Sequence, residues 1–215
     1  MTDATIVCEI SAAQLKGLLM TAGKSDVRYY LNGIYFDTVC GRLVSTDGHC
    51  AVLMRHTLDA GTEPFILSRC IAERALKLAT RKFPTLTVGI SAGPERRTII
   101  LRHANGAVTG LEIEGRFPQY QLIVPQEVSG VTGNFNPQLL AAVDKAITLC
   151  AYEEPKEQAT ILHHNGSDKA AVMTCSNPGV LGVIMPMRVD QRGIGQFTEA
   201  LAELGLAPEP KTEAA

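Results

Sequence analysis

Thr5-Ile6-Val7-Cys8-Glu9-Ile10-Ser11-Ala12-Ala13-Gln14-Leu15-Lys16-Gly17-Leu18-Leu19 is the stretch that decides the fold. A short apolar run from Thr5 to Ile10 leads into Ser11, and Gln14 stands three residues later. That spacing is a capping box, in which two side chains satisfy the free N–H groups of a starting helix. Ala12, Leu15 and Leu19 then fall at i, i+3 and i+7, the period of one buried helical face. Strand-like stretches follow from Arg28 to Thr38 and from Leu43 to Arg55, around a turn at Cys40-Gly41. The order is strand, helix, strands.

The same order occurs twice more. Phe65-Ile66-Leu67 reads as a strand and Ser68 as a helix cap. Ile71, Ala75 and Leu78 then form the buried helical face, and Pro84 limits the helix. Strands Leu86–Ile90, Thr98–His103 and Ala107–Ile113 follow, the last two joined at Asn105-Gly106, a strong hairpin signal. A third unit starts at Gly133-Asn134-Phe135. Asn136 caps its helix, and Pro137 occupies the first helical position, where a missing N–H costs nothing. Leu140, Val143 and Ile147 make the apolar face. Strands Ala159–His164 and Ala170–Cys175 flank Asn165-Gly166, and a last strand runs from Val180 to Met187. Phe197, Leu201 and Leu204 suit one short amphipathic helix, and Pro208–Ala215 reads as a frayed end.

Composition narrows the function. With 215 residues, 46% apolar and 20% charged, the chain has the balance of a soluble globular protein rather than a disordered one. No apolar run reaches the ~18–20 residues of a membrane span, and the first ten residues lack a basic signal region. Tryptophan is absent and aromatics are 5%, which disfavours a stacking reader of single strands. Net charge is −2, yet residues 61–131 hold nine basic against six acidic side chains. The six cysteines at 8, 40, 50, 70, 150 and 175 show no CxxC spacing, so buried, reduced thiols in a cytoplasmic protein are expected.

Four separated segments carry a resemblance. Val27-Arg28-Tyr29-Tyr30-Leu31-Asn32-Gly33 and Ser45-Thr46-Asp47-Gly48-His49 resemble the central domain of the bacterial DNA polymerase III beta sliding clamp family. Gly115-Arg116-Phe117-Pro118-Gln119-Tyr120 with Val124-Pro125 is similar to the segment that ends that domain. Val183-Ile184-Met185-Pro186-Met187-Arg188 is similar to the family's C-terminal strand. The resemblance spans residues 5–190. It implies an α+β DNA clamp fold of repeated strand-helix-three-strand half-modules, two per domain. The expected division is a clamp domain over 1–126, a single half-module over 127–190, and a helical or flexible tail over 191–215.

Asp47 and His49 invite an acid–base reading, but no constellation of residues in named roles accompanies them. Neither an enzyme nor a cofactor is expected. The resemblance implies a client-peptide pocket formed by Leu31, Thr46, Gly48, His49, Cys50, Ala51, Pro118, Leu122, Ile123, Val183, Ile184, Met185, Pro186 and Met187. An apolar concavity of this kind accepts leucine or phenylalanine anchors of an extended segment, and flexible methionines suit several partners. The family commonly has Arg-Leu where this chain has Cys50-Ala51, and often arginine at Leu122. An altered pocket depth and weaker attraction for acidic peptide ends follow. Arg74, Lys77 and Arg81 share one helical face, with Arg69 and Lys82 nearby, and Lys16, Lys24 and Lys145 are further candidates. In the family such groups meet duplex phosphates without reading bases, a contact that salt weakens.

The function implied is a sliding clamp, a processivity factor that encircles DNA and holds polymerase and clamp loader by linear peptides. Its shortened form suggests a phage-like version, cytoplasmic and nucleoid-associated. The alternative is a clamp-derived decoy or adaptor that binds replication peptides without encircling DNA. Family rings close with twelve half-modules. Three per chain therefore favour a homotetramer over a trimer, in which 191–215 would contribute part of a fourth module.

Overall fold

A computed structural model describes residues 4–93, 95–151, 159–189 and 197–204. The first unit contains strand β1 (Thr5–Ser11), helix α1 (Ala12–Thr21) and strands β2 (Gly33–Asp37), β3 (Arg42–Thr46) and β4 (Cys50–Arg55). The second contains β5 (Phe65–Ser68), α2 (Arg69–Leu76), β6 (Thr85–Ser91), β7 (Thr98–His103) and β8 (Gly106–Leu111). The third contains α3 (Pro137–Ala151), β9 (Ile161–His163), β10 (Ala171–Thr174) and β11 (Val180–Ile184). A short α4 (Phe197–Glu203) follows, while the expected frayed end, 208–215, lies outside the described residues. Among the described residues no helix is long and apolar enough to cross a membrane.

The capping box forms as the sequence predicts. Gln14 N–H donates to Ser11 Oγ at 3.1 Å, and Ser11 N–H donates to Gln14 Oε1 at 3.0 Å. Asn136 Oδ1 likewise accepts from Gln138 N–H at 2.9 Å. Ser68 starts α2 without a side-chain cap. Two strand assignments change. Arg28–Asn32 is not extended: Tyr29–Leu31 is a 3-10 turn. Asp26 and Asn32 clasp each other across it, with Asp26 N–H donating to Asn32 Oδ1 and Asn32 Nδ2 donating to Asp26 O, both at 2.8 Å. Such local side-chain bonds compete with a sheet ladder. The stretch Leu43–Arg55 is two strands, because Asp47 Oδ1 accepts from both His49 N–H and Cys50 N–H and folds the chain back.

Both sheets are antiparallel. One has the order β1-β6-β7-β8 and the other β5-β2-β3-β4-β11-β10-β9. The first two units thus exchange their leading strands: β1 joins the second unit's sheet and β5 joins the first unit's. The third unit adds to the first through β4 and β11, paired from Val180 with Met54 to Ile184 with Cys50. No strand forms at Gly133–Phe135.

One face of the seven-stranded sheet carries α1 and α3, whose Leu15, Leu18, Val143, Ala146 and Ile147 are fully buried beside Ile34, Phe36 and Leu43. The helices come so close at Gly17 that a Cβ there would lie 2.7 Å from Cys150 Sγ. Chain from Phe117 to Val124 straps the opposite face, with Phe117 stacked on Tyr35 at 4.7 Å. Sandwiched between, β4 is buried from Cys50 to Met54, as a two-sided apolar strand should be. Cys8, Cys50 and Cys150 are buried, and burial pushes each thiol up to about 12. Cys40 and Cys70 are exposed, contrary to the expectation for them.

Candidate functional site

Where the strap leaves the sheet, a cavity of about 180 Å³ opens. Its floor is Leu31 and Val183, both buried, and its walls are Thr46, Gly48, His49 and Cys50 of the β3–β4 turn. Pro118, Tyr120 and Ile123 of the strap close one side, and Met185 closes the other. Nine of the sequence-predicted pocket residues therefore line one cavity: Leu31, Thr46, Gly48, His49, Cys50, Pro118, Ile123, Val183 and Met185.

Side-chain bonds to the backbone fix this wall. Thr46 Oγ1 donates to Cys50 O at 2.7 Å and accepts from Gly48 N–H at 3.0 Å. Gly48 has φ +89°, and a Cβ there would lie 2.7 Å from Arg28 Nη1. Asp47 is thus a turn-former, with one carboxylate oxygen spent on two backbone donors.

Five predicted residues sit elsewhere. Ala51 is buried beneath the strap, and Ile184, one residue after Val183, alternates to the other face of the sheet. Leu122 is 80% exposed and belongs to an adjoining groove with Ile123, Pro125, Lys169 and Met185. Pro186 and Met187 lie past the end of β11, where Met187 N–H donates to Asn134 O. The two concavities share Ile123 and Met185.

Three lining residues were not foreseen: Arg28, Tyr30 and Tyr120. Arg28 lies on the rim, paired with Asp26 at 2.8 Å, and its Nη2 donates to Asp47 O at 3.0 Å. Hydrogen bonds from Arg28 hold the Asp26 carboxyl down at about 2. Tyr120 hydroxyl donates to buried Asp37 Oδ2 at 2.6 Å and accepts from Arg42 at 3.4 Å. Burial, and then the bond to Asp37, raises the phenol well above its ordinary range. The Asp26-Val27-Arg28 spacing was the available signal for the first, whereas nothing local marks Tyr120.

The cations divide into two kinds. Arg69 is mostly buried and structural. Its guanidinium donates to the carbonyls of Leu19, Ala22 and Gly23, closing the C-terminus of α1, and pairs with Glu73 at 2.9 Å. Lys16, Lys77 and Arg81 instead border one shallow groove between α1 and the end of α2. Arg74 on α2, Lys24 just past α1 and Lys145 on α3 are also exposed. Lys82 lies over the Phe83 ring at 5.4 Å. Among the described residues none of these seven enters an ion pair.

No family model matches the chain. The beta sliding clamp of Vibrio cholerae is 28% identical over 177 residues, covering 79% of this chain and 46% of that one. That of Caulobacter vibrioides is 28% identical over 134 residues, covering 59% and 35%. The chain thus spans about half or less of the length of the curated relatives it matches. Among solved structures, a DNA polymerase sliding clamp from Pseudomonas aeruginosa superposes with TM-score 0.65 at 18% identity, covering 88% of this chain and 68% of that one. The Thermotoga maritima beta subunit gives 0.63 at 16%, covering 87% and 67%. The Bartonella birtlesii clamp, solved with griselimycin, gives 0.65 at 20%, covering 88% and 68%. The Thermotoga and Bartonella proteins are beta subunits of DNA polymerase III. From sequence and fold together, the chain is a partial-length homologue of the beta sliding clamp (DNA polymerase III beta) family.

Proposed function

We propose that the chain is a sliding clamp that encircles duplex DNA as a homo-oligomeric ring and tethers DNA polymerase and clamp loader by their linear peptides. The observation that carries the reading is the cavity under the strap. It gathers Leu31, Thr46, His49, Pro118, Val183 and Met185 from four separate stretches of chain into one apolar hollow. A hollow of this size takes a single leucine or phenylalanine anchor, and the adjoining groove past Met185 accepts the continuation of an extended peptide. Arg28 keeps a cation at the rim, but Asp26 neutralises it, Cys50, Ala51 and Leu122 add none, and Lys169 shares the adjoining groove with Glu127. Selectivity for acidic peptide ends is therefore weak.

Cations along α1, the end of α2 and α3 that enter no ion pair among the described residues supply the sequence-independent attraction to phosphate that sliding needs. No chemical step is involved: topology gives processivity, and weak contacts permit movement.

Two measurements test this. Fluorescence titration should show binding of a leucine- and phenylalanine-containing peptide, lost in Met185→Asp. The ring should be retained on closed circular DNA, released on linearisation, and lost in a charge-reversed Arg74/Lys77/Arg81 variant. Absence of peptide binding refutes the pocket. Peptide binding without retention on circles points to the decoy instead.

A further inference from the structure

Among the described residues the third unit lacks what the first two give each other. In the second unit, β5 is held on both edges. Ile66 O, two residues before the Ser68 cap, accepts from Ile113 N–H just past that unit's own last strand. The opposite edge of β5 pairs with β2 of the sibling unit. In the third unit Asn134 O, two residues before the Asn136 cap, accepts from Met187 N–H just past β11, the corresponding bond. Its opposite edge has no strand beside it among the described residues. The segment is laid where an exchanged strand lies, with no sibling to receive it.

Three further observations fall at the same place. The residue before the helix cap is buried in both exchanged strands, Ile10 at 1% and Leu67 at 0% exposure, whereas its counterpart Phe135 is only half-buried. Strand β9 is the outer strand of the seven-stranded sheet, where the first unit carries β5 beyond β2, and its Ile161 is 59% exposed. His164, which follows β9 and faces Phe135 at 5.8 Å, has a buried Nδ1 without a hydrogen-bond partner among the described residues.

We propose that a second copy of this chain is the missing sibling. About a two-fold axis, the segment 133–135 of each copy adds to the outer edge of β9 of the other, so that two third units form one complete two-unit domain. The occupant is fixed by the chain itself. The exchange between the first and second units is reciprocal, so the partner must offer both a free pre-helix segment and a free receiving edge. The third unit of another copy offers both. Antiparallel addition about a two-fold axis is the ordinary geometry of an isologous contact. It also removes an exposed strand edge that would otherwise recruit other chains.

The inference deepens the ring reading and rests on it only for what lies beyond the pair. Within a four-chain ring, pairs joined at β9 meet other pairs through β8, the strand placed in its unit as β4 is in the first. The two kinds of two-fold contact make a D2 tetramer rather than a four-fold head-to-tail ring.

Sedimentation of the full chain should give an even multiple of 23.1 kDa, and Ile161→Lys should halve it. Lysine on an exposed edge blocks strand addition without disturbing the core. In a Cys40→Ser/Cys70→Ser background, a Phe135→Cys/Ile161→Cys chain treated with a short bismaleimide should run as a covalent dimer under denaturing conditions. A monomeric or trimeric wild type, or an unchanged mass in Ile161→Lys without that cross-link, overturns the proposal. Peptide titration of the same variant separates the two readings, because the pocket lies within one chain. Retained binding with unchanged mass defeats the pairing alone, and halved mass with no binding in either protein defeats the pocket alone.

Discussion

Replacing Gly48 by alanine should destabilise the chain and loosen the pocket rim together, and the two effects can be separated. The backbone at Gly48 sits at φ +89°, where an L-residue pays about 1–2 kcal/mol. The added methyl would also stand 2.7 and 2.8 Å from the two terminal nitrogens of Arg28, inside contact distance. A guanidinium can swing away, so this second cost is small, but the swing breaks its 3.0 Å bond to Asp47 O and moves the rim. The two together give an expected loss of about 1.5–2.5 kcal/mol in urea unfolding, a fall of about 3–10 °C in Tm at this chain length. The assay is a double-mutant cycle with Arg28→Ala. In the alanine background the clash is gone, so Gly48→Ala should cost only the backbone part. A coupling of at least about 0.5 kcal/mol should appear, with weaker peptide binding in Gly48→Ala alone. Gly48→Ala indistinguishable from wild type in stability, or strictly additive with Arg28→Ala, would refute the reasoning.

Arg69→Ala should cost about 1.5–3 kcal/mol in urea unfolding, since the carbonyls of Leu19, Ala22 and Gly23 lose a charged donor. Its effect on DNA retention at matched folded fraction should be smaller than that of charge reversal at Arg74, Lys77 and Arg81. Equal effects would return Arg69 to the DNA-facing set. Tyr120 has a raised pKa in the folded state, so its contribution is present below its ordinary value of 10.0 and fades as pH rises beyond it. Tyr120→Phe should therefore reduce stability by about 1–3 kcal/mol at neutral pH, by leaving Asp37 short of a donor, and should flatten the alkaline decline. An identical alkaline slope in wild type and variant would contradict that assignment.

The sequence by itself determined what depends on near neighbours in the chain. Ser11 with Gln14, Asn136 before Pro137, and the Asn105-Gly106 hairpin were legible because a cap or a tight turn is made by residues within four positions of one another. Periodicity likewise gave the buried faces of α1, α2 and α3, apart from Ala12, Leu140 and Leu78, which are half-buried, Leu78 lying past the end of α2. It misread Arg28–Asn32 because the clasp between Asp26 and Asn32 competes with a ladder that apolar alternation alone suggests. The nine pocket residues that come together were reached through four motifs in a family's order, not through any local rule.

Tertiary structure decided the rest. Only folding shows that β1 and β5 change places, or that β4 finds β11 far along the chain, because alternation says which face of a strand is buried and not which strand lies beside it. Only folding turns Arg69 from a presumed DNA contact into the cap of α1, and brings Arg28 and Tyr120 to the cavity. A cation's sequence position carries its charge but not its partners. For Arg69 those include carbonyls tens of residues away, which approach only when the helices have packed on the sheet.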